Sequence, residues 1–417
     1  MSKARVVARG TVKGREQSAR RAKIVIRKSP STPLEKMRTE RTAGRRGAKK
    51  AAPRSRTVSI GRLERKSAGT TPRTAETKRK RRTSKAKPLD RDFLIALGNE
   101  IRNSILPYIA SGKGREVVGT ATSGDATFEL DKVAEKALLT FLRNAREPVA
   151  YYSEDAGYTT FTSSQPQNLL VVDPVDGTRA AKSGFEGCVV SIVSTRVIER
   201  PRVADIDNAC IVEILGPRTF YAERGKGARV IVDGQSRKPK LSQNINLELV
   251  SWAMTVTARP AELIFPTAAK LIDLTSLKGG FFACNSTAFS LTRLVTNQLD
   301  AYVDFANRFL RDIYDTVQDY FINAGRGAII GIAPYDFAGA LLVAQEAGCK
   351  VTDAFGRGFD DVLLLDSSVN NQRSIIAAAN EELHEKLISF FEMRIRQFEQ
   401  LLTKRGRIPA KEQTSSQ

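Results

Sequence analysis

Residues 169–178, LLVVDPVDGT, constrain the fold more than any other stretch of the chain. An apolar run of this kind reads as a buried strand, yet it ends in two aspartates, Asp173 and Asp176, three positions apart. Carboxylates at the end of a buried strand are costly to desolvate unless something positive meets them. A metal ion is the natural partner. Pro174 fixes the turn between the aspartates, so that both carboxylates and the carbonyl of Val175 can converge on one cation. Gly177 permits close backbone approach, and Thr178 is placed to open a helix whose N–H groups suit a phosphate. Two cations about 4 Å apart, sharing Asp173, would activate water on one side and stabilise the leaving oxygen on the other.

Charge divides the chain. Residues 1–88 carry 30 Lys and Arg against 5 Asp and Glu, a net of +25, and contain no Phe, Trp or Tyr. Such a segment cannot bury enough apolar surface to offset the entropy of ordering, so a disordered basic tail is expected. The remainder, 89–417, has a net charge of −3 and is long enough for a large core in two packed halves. We place the metal- and phosphate-binding half at roughly 89–235, a second half at 236–380, and a C-terminal helix and tail at 381–417.

Cys188, Cys210, Cys284 and Cys349 lie far apart in apolar contexts, which points to buried thiols in a reducing compartment. The single histidine, His384, sits in a charged helical pattern, which argues against histidine-based catalysis and histidine-bound zinc. The apolar stretch 327–344 is interrupted by Pro334 and Asp336, and it reads as a buried strand followed by a helix rather than a membrane span. No secretory apolar core opens the chain, so a cytoplasmic location is expected.

Helical periodicity starts at Asp90, with Phe93, Leu97, Ile101, Ile105 and Tyr108 on one side, and returns over 130–142, which puts Asp131 near a helix N-terminus. Val149–Tyr152 reads as a strand running into Glu154 and Asp155. β-Branched and aromatic runs predict strands between 188 and 222, at 247–254, at 300–305 and at 374–380. Helices are expected over 286–297, from Asp336 to Gly348, and from Glu381 to about Leu402. The irregular alternation favours an α+β fold with mixed sheets.

Three separated segments thus place acids where an apolar strand meets a turn: Glu154, then Asp173 with Asp176, then Asp336. Taken singly, Asp336 is an ordinary helix cap, Glu154 a solvated loop residue and Asp131 a charge favoured by the helix dipole. Taken together they form an oxygen-rich set without Cys or His, which suits Mg²⁺.

The signatures SED, DPVDGT and YDFAGALLVAQEAG resemble those of the inositol monophosphatase family, the Mg²⁺-dependent, lithium-sensitive sugar-phosphate phosphatases related to fructose-1,6-bisphosphatase. The similarity runs from about Leu89 to about Asn380, through ELDKVAEKALLTFL, FYAERGKGA, NSTAFSLTRLVTNQLDAYVD and GCKVTDAFGR. It implies a layered α-β-α-β-α sandwich and two or three Mg²⁺ ions held by Glu154, Asp173, the Val175 carbonyl, Asp176 and Asp336. Thr178, polarised by Asp131, would orient and deprotonate the attacking water, with Glu154 also in the catalytic set. The amides of Gly177 and Thr178 would hold the phosphate, and Asp176, Ser286, Thr287 and Arg326 would face the substrate. The family's habit implies a homodimer.

The chain departs from the family at Asp155, Tyr335 and Cys349, all tolerable, and at Ile329, where inositol-specific members carry a glutamate. The segment 307–327 brings Arg308, Arg311 and Arg326, which would either read a second phosphate or decorate a surface helix. The expected substrate is a small phosphate ester, inositol monophosphate or fructose 1,6-bisphosphate. A 3'-phosphoadenosine 5'-phosphate phosphatase ranks below these, because Arg179-Ala180-Ala181 follows DGT. A function of another class is binding of nucleic acid or an anionic surface through the basic tail, with the phosphatase fold as scaffold.

Overall fold

The structure, a computed structural model, describes residues 87–112, 115–120, 126–160 and 165–404. The basic tail, except Lys87 and Pro88, and the residues after Lys404 lie outside the described residues.

Helix α1 (Arg91–Ser111) begins where the Asp90 carboxylate accepts the Phe93 N–H at 2.9 Å, and ends at Gly112 with φ 68°. A hairpin of β1 (Val117–Thr120) and β2 (Ala126–Phe128) leads into α2 (Glu129–Ala145). Strand β3 (Val149–Ser153) turns back as β4 (Gly157–Thr160), and β5 (Asn168–Asp176) runs parallel to β3. One turn of helix, α3 (Thr178–Ala181), precedes an antiparallel meander. Its strands are β6 (Val189–Thr195), β7 (Asn208–Glu213), β8 (Arg218–Glu223), β9 (Gly227–Val232) and β10 (Gln235–Arg237). Together these strands form an eight-stranded sheet in the order β10-β9-β8-β7-β6-β5-β3-β4.

The second half begins with β11 (Ser251–Met254), α4 (Ala261–Thr275), β12 (Gly280–Ala283), α5 (Thr287–Leu294) and β13 (Ala301–Asp304). Helices α6 (Ala306–Asp312), α7 (Tyr314–Ala324) and α8 (Pro334–Ala347) follow, then β14 (Lys350–Thr352), β15 (Ile375–Ala378) and α9 (Glu381–Lys404). Its five strands lie in the order β12-β11-β13-β15-β14, with β11 parallel to both neighbours and β15 antiparallel to both of its own.

Strand side chains alternate between faces, and here the alternation assigns the layers. Val190 and Ile192 of β6 pack with α1 and α2, whereas Val193 joins a core that contains α5 and α8. In β15, Ile375 and Ala377 face that same central core, and Ile376 and Ala378 face α4, α6, α7 and α9. The result is helix, sheet, helix, sheet, helix, as the sequence resemblance implies. Burying one leucine such as Leu341 in the central layer contributes about 2 kcal/mol, so packing rather than helix propensity holds the stack.

Three expectations need correction. The run 247–254 is a strand only from Ser251, because the Asn246 side chain accepts the Glu248 N–H at 3.0 Å and winds Leu247–Leu249 into a 3₁₀ turn. The stretch before α8 is not a strand: Arg326 and Gly327 hold positive φ (53° and 115°), and only Ile332 makes a ladder contact, an isolated bridge to Arg373. The helix expected after Gly177 is a single turn.

Candidate metal centre

In a regular strand, residues three apart face opposite sides of a sheet. Asp173 pairs with Ser191 and Asp176 with Val189, so one extra residue on β5 forms a bulge that turns both aspartates to the same side. Pro174, which has no N–H to contribute to a ladder, occupies that bulge. The parallel pairing of Ser153 with Val172 brings Glu154 to the same sheet end. Asp336, in the first turn of α8, completes the group: ligand oxygens of Asp173, Asp176 and Asp336 all lie within 4.8 Å of one another.

Each of the three is anchored through one oxygen. Asp173 Oδ1 accepts the Val175 N–H at 3.0 Å, and Asp336 Oδ2 accepts the Ala333 N–H at 2.7 Å. Asp176 Oδ2 accepts both the Ser286 hydroxyl at 2.7 Å and the Ala288 N–H at 2.6 Å. Hard oxygen donors with one fixed and one remaining oxygen each suit a divalent cation of the Mg²⁺ type. Glu154 stands outside this trio, half-buried, but near enough for its charge to act on Asp173 and Asp336.

The electrostatics point the same way. Burial, then the charges of Asp176, Asp336 and Glu154, holds the Asp173 carboxyl well above the usual carboxylate range. Burial pushes Asp176 up to about 7 against the opposing bonds from Ser286 and the α5 backbone. Asp336 is raised by burial and by Glu154 and Asp176, with Arg259 opposing. Several buried acids that suppress one another's ionisation form a site short of positive charge, which a divalent cation supplies.

Beside the acids, Thr178 Oγ1 lies 3.1 Å from Asp131 Oδ1 and 3.0 Å from the Val175 carbonyl oxygen. It carries one proton for two acceptors, so it can give that proton to either and accept another on its lone pairs. Asp131 Oδ2 accepts the Phe128 N–H at 2.7 Å, which locks the carboxylate at the start of α2. Gly177 has φ 93°, and a Cβ there would meet the Gly187 carbonyl oxygen and come within 2.9 Å of Ser286 Cβ. Only glycine fits.

Some residues are placed differently from the sequence expectation. Ser286 and Thr287, expected to face substrate, are buried and point inward: Ser286 anchors Asp176, and Thr287 bonds the Tyr302 hydroxyl at 3.0 Å. Arg308 and Arg311 serve the fold instead of a phosphate. Arg308 pairs with Asp312 and Glu392, and Arg311 binds the carbonyls of Val369, Asn370 and Gln372. Arg326 is exposed in the loop before α8, at a positive φ of 53°. Ile329 packs against the outer core. His384 is buried, bonded to Thr352 at 2.9 Å and pushed down to about 4 by burial. All four cysteines are free, and among the described residues no helix is long and apolar enough to cross a membrane.

Two positioning groups were missed. Ser153 donates to Glu135 at 2.9 Å and accepts the Ala156 N–H at 3.2 Å, setting the turn that carries Glu154. Arg259 pairs with Asp304 at 2.7 Å and donates to the Ile330 carbonyl at 3.1 Å, fixing the segment that enters α8. A glutamate one turn after Asp131 was a usable signal for the first. Nothing local marks Arg259.

The description "Inositol monophosphatase family" fits residues 91–396 of the chain. The bifunctional NADP phosphatase/NAD kinase of Methanococcus maripaludis is 24% identical over 313 residues, a match that covers 72% of this chain and about half (49%) of the relative. The fructose-1,6-bisphosphatase/inositol-1-monophosphatase of Thermococcus kodakarensis is 27% identical over 293 residues, 70% of this chain and 93% of the relative. Among solved structures, the extragenic suppressor protein suhB of Bartonella henselae superposes with a TM-score of 0.54 at 20% identity, over 72% of this chain and 97% of that one. That likeness bears on the fold.

Proposed function

Since the chain belongs to the inositol monophosphatase family, a family of phosphoric monoester hydrolases, we propose that it hydrolyses a small polyol or sugar phosphate with Mg²⁺ held by Glu154, Asp173, the Val175 carbonyl, Asp176 and Asp336. The observation that carries this reading is the convergence of three anchored carboxylates within 4.8 Å, next to the Thr178–Asp131 pair. When bound, the cations supply electrostatic stabilisation of the charge that develops on the phosphoryl and leaving oxygens. Thr178 Oγ1 accepts a proton of the attacking water while giving its own to Asp131 Oδ1, so Asp131 ends as the proton store. Water oxygen bonds to phosphorus as the ester P–O bond breaks, the leaving oxygen takes up a proton from bulk water, and Asp131 returns its stored proton to solvent. The bulge at Pro174 and the glycine at 177 hold this geometry on rigid backbone, with the amides of Gly177 and Thr178 offered to the phosphate.

The test is Mg²⁺-dependent phosphate release by the full chain from inositol 1-phosphate, fructose 1,6-bisphosphate, 3'-phosphoadenosine 5'-phosphate and NADP in parallel. Release from one or more of these, lost in Asp173→Asn, is the expected result. Equal activity in that variant refutes the metal assignment, and release from none refutes the substrate class.

The net charge of +25 on residues 1–88 favours a second, separate role, docking on a polyanion. Filter binding to duplex DNA should show a steep salt slope that disappears when those residues are removed.

A further inference from the structure

A basic group stands beside the Thr178–Asp131 pair. Lys182 closes α3, its backbone N–H bonded to the Thr178 carbonyl at 2.9 Å, so it lies one turn beyond Thr178 on the same face. Its ammonium sits 3.8 Å from the centre of the Phe128 ring, the residue whose N–H binds Asp131. Arg115 reaches across from the loop before β1, and its Nε donates to the Lys182 carbonyl at 2.9 Å. Among the described residues neither Arg115 nor Lys182 forms an ion pair with a carboxylate. Burial, then the charges of Arg179 and Arg115, lowers the Lys182 ammonium from its ordinary value, while Asp131 opposes that shift. Like charges held together beside a phosphate-binding site, with an aromatic face under one of them, form a ready anion receptor.

The position decides which anion. The contacts run from Val175 to Thr178, Asp131, Phe128 and then Lys182, so the ammonium lies beyond the proton-handling pair and not among the metal carboxylates. The Arg311–Arg373 cluster near α8 is a weaker candidate, since both guanidinium groups clamp carbonyls of the 369–372 turn. We propose that Lys182 and Arg115 form a second anion subsite, which binds a further phosphate carried by the substrate, so that the preferred substrate is a bisphosphate and not a simple monoester. The inference rests on the phosphatase reading above for the place of the cleaved ester.

The experiment compares the full chain with the Lys182→Met, Arg115→Gln double variant on fructose 1,6-bisphosphate and fructose 1-phosphate, which differ by one phosphate. The wild type should favour the bisphosphate in kcat/KM by about tenfold, the worth of one charge-assisted contact. In the double variant, or in high salt, that ratio should fall to about one, and Lys182→Arg should restore part of it. An unchanged ratio overturns the subsite; so does an equal loss on both compounds, which would assign the cations to the cleaved phosphate. Calorimetric binding of the same two compounds in Ca²⁺ separates the readings. A bisphosphate preference in Kd that the variant loses, without turnover of either compound, upholds the subsite and refutes the phosphatase. Equal or absent binding refutes the subsite whatever the turnover. Lys182→Met removes the charge while keeping an unbranched side chain of similar length, and its thermal midpoint checks the fold.

Discussion

Asp176→Asn should make the cation-free protein more stable while it removes activity. Burial raises the Asp176 carboxyl from 3.8 to about 7. A raised carboxyl contributes its stability fully below 3.8 and loses it as pH rises through about 7, so at pH 8 the whole deficit is present. Three units at about 1.4 kcal/mol each give a ceiling of about 4 kcal/mol. Asparagine does not ionise, and its Oδ1 can still accept from Ser286 and Ala288. Coupling to Asp173 and Asp336 shares the deficit among the acids, so a gain of about 2–4 kcal/mol is expected. Urea unfolding at pH 8 in EDTA and in excess Mg²⁺ reads both sides. In EDTA the variant should be more stable than wild type; in Mg²⁺ the wild type should gain markedly and the variant little. A variant destabilised in EDTA, or one that gains as much from Mg²⁺ as wild type, would refute the reasoning.

Ser286→Ala removes one of the two bonds that anchor Asp176 and should weaken the Mg²⁺ dependence of activity by about tenfold, read as a shift in the Mg²⁺ activation curve with the fold intact. Gly177→Ala forces a Cβ against the Gly187 carbonyl and Ser286 at a positive φ; a loss of about 3 kcal/mol or more in denaturant unfolding is expected. His384 is buried with its ring held down to about 4, so it stabilises the fold above about 6.5 and that contribution is lost as pH falls toward 4. His384→Gln should flatten the fall in thermal midpoint between pH 6.5 and 4.

The sequence by itself determined the acids and their order. A strand end, a Pro-spaced pair of aspartates and a cap before an apolar helix are local patterns, and local chemistry is enough to recognise them. The helix start at Asp90 was legible for the same reason, since its carboxylate binds the N–H three residues on, whereas α8 starts at Pro334 and Asp336 sits inside its first turn, reaching back to the Ala333 N–H. What only the tertiary structure decided is where long side chains find partners. The bulge that turns Asp173 and Asp176 to one side depends on pairing with β6, and Asp176 is anchored by Ser286, 110 residues further along. Arg308 and Arg311 carry the same charge as Lys182 and Arg115, yet Arg308 pairs with Asp312 and Glu392 and Arg311 clamps carbonyls of the 369–372 turn, whereas among the described residues neither Lys182 nor Arg115 pairs with a carboxylate. A sequence gives each residue's charge; the field at a site is the sum over whatever the fold brings within a few ångströms.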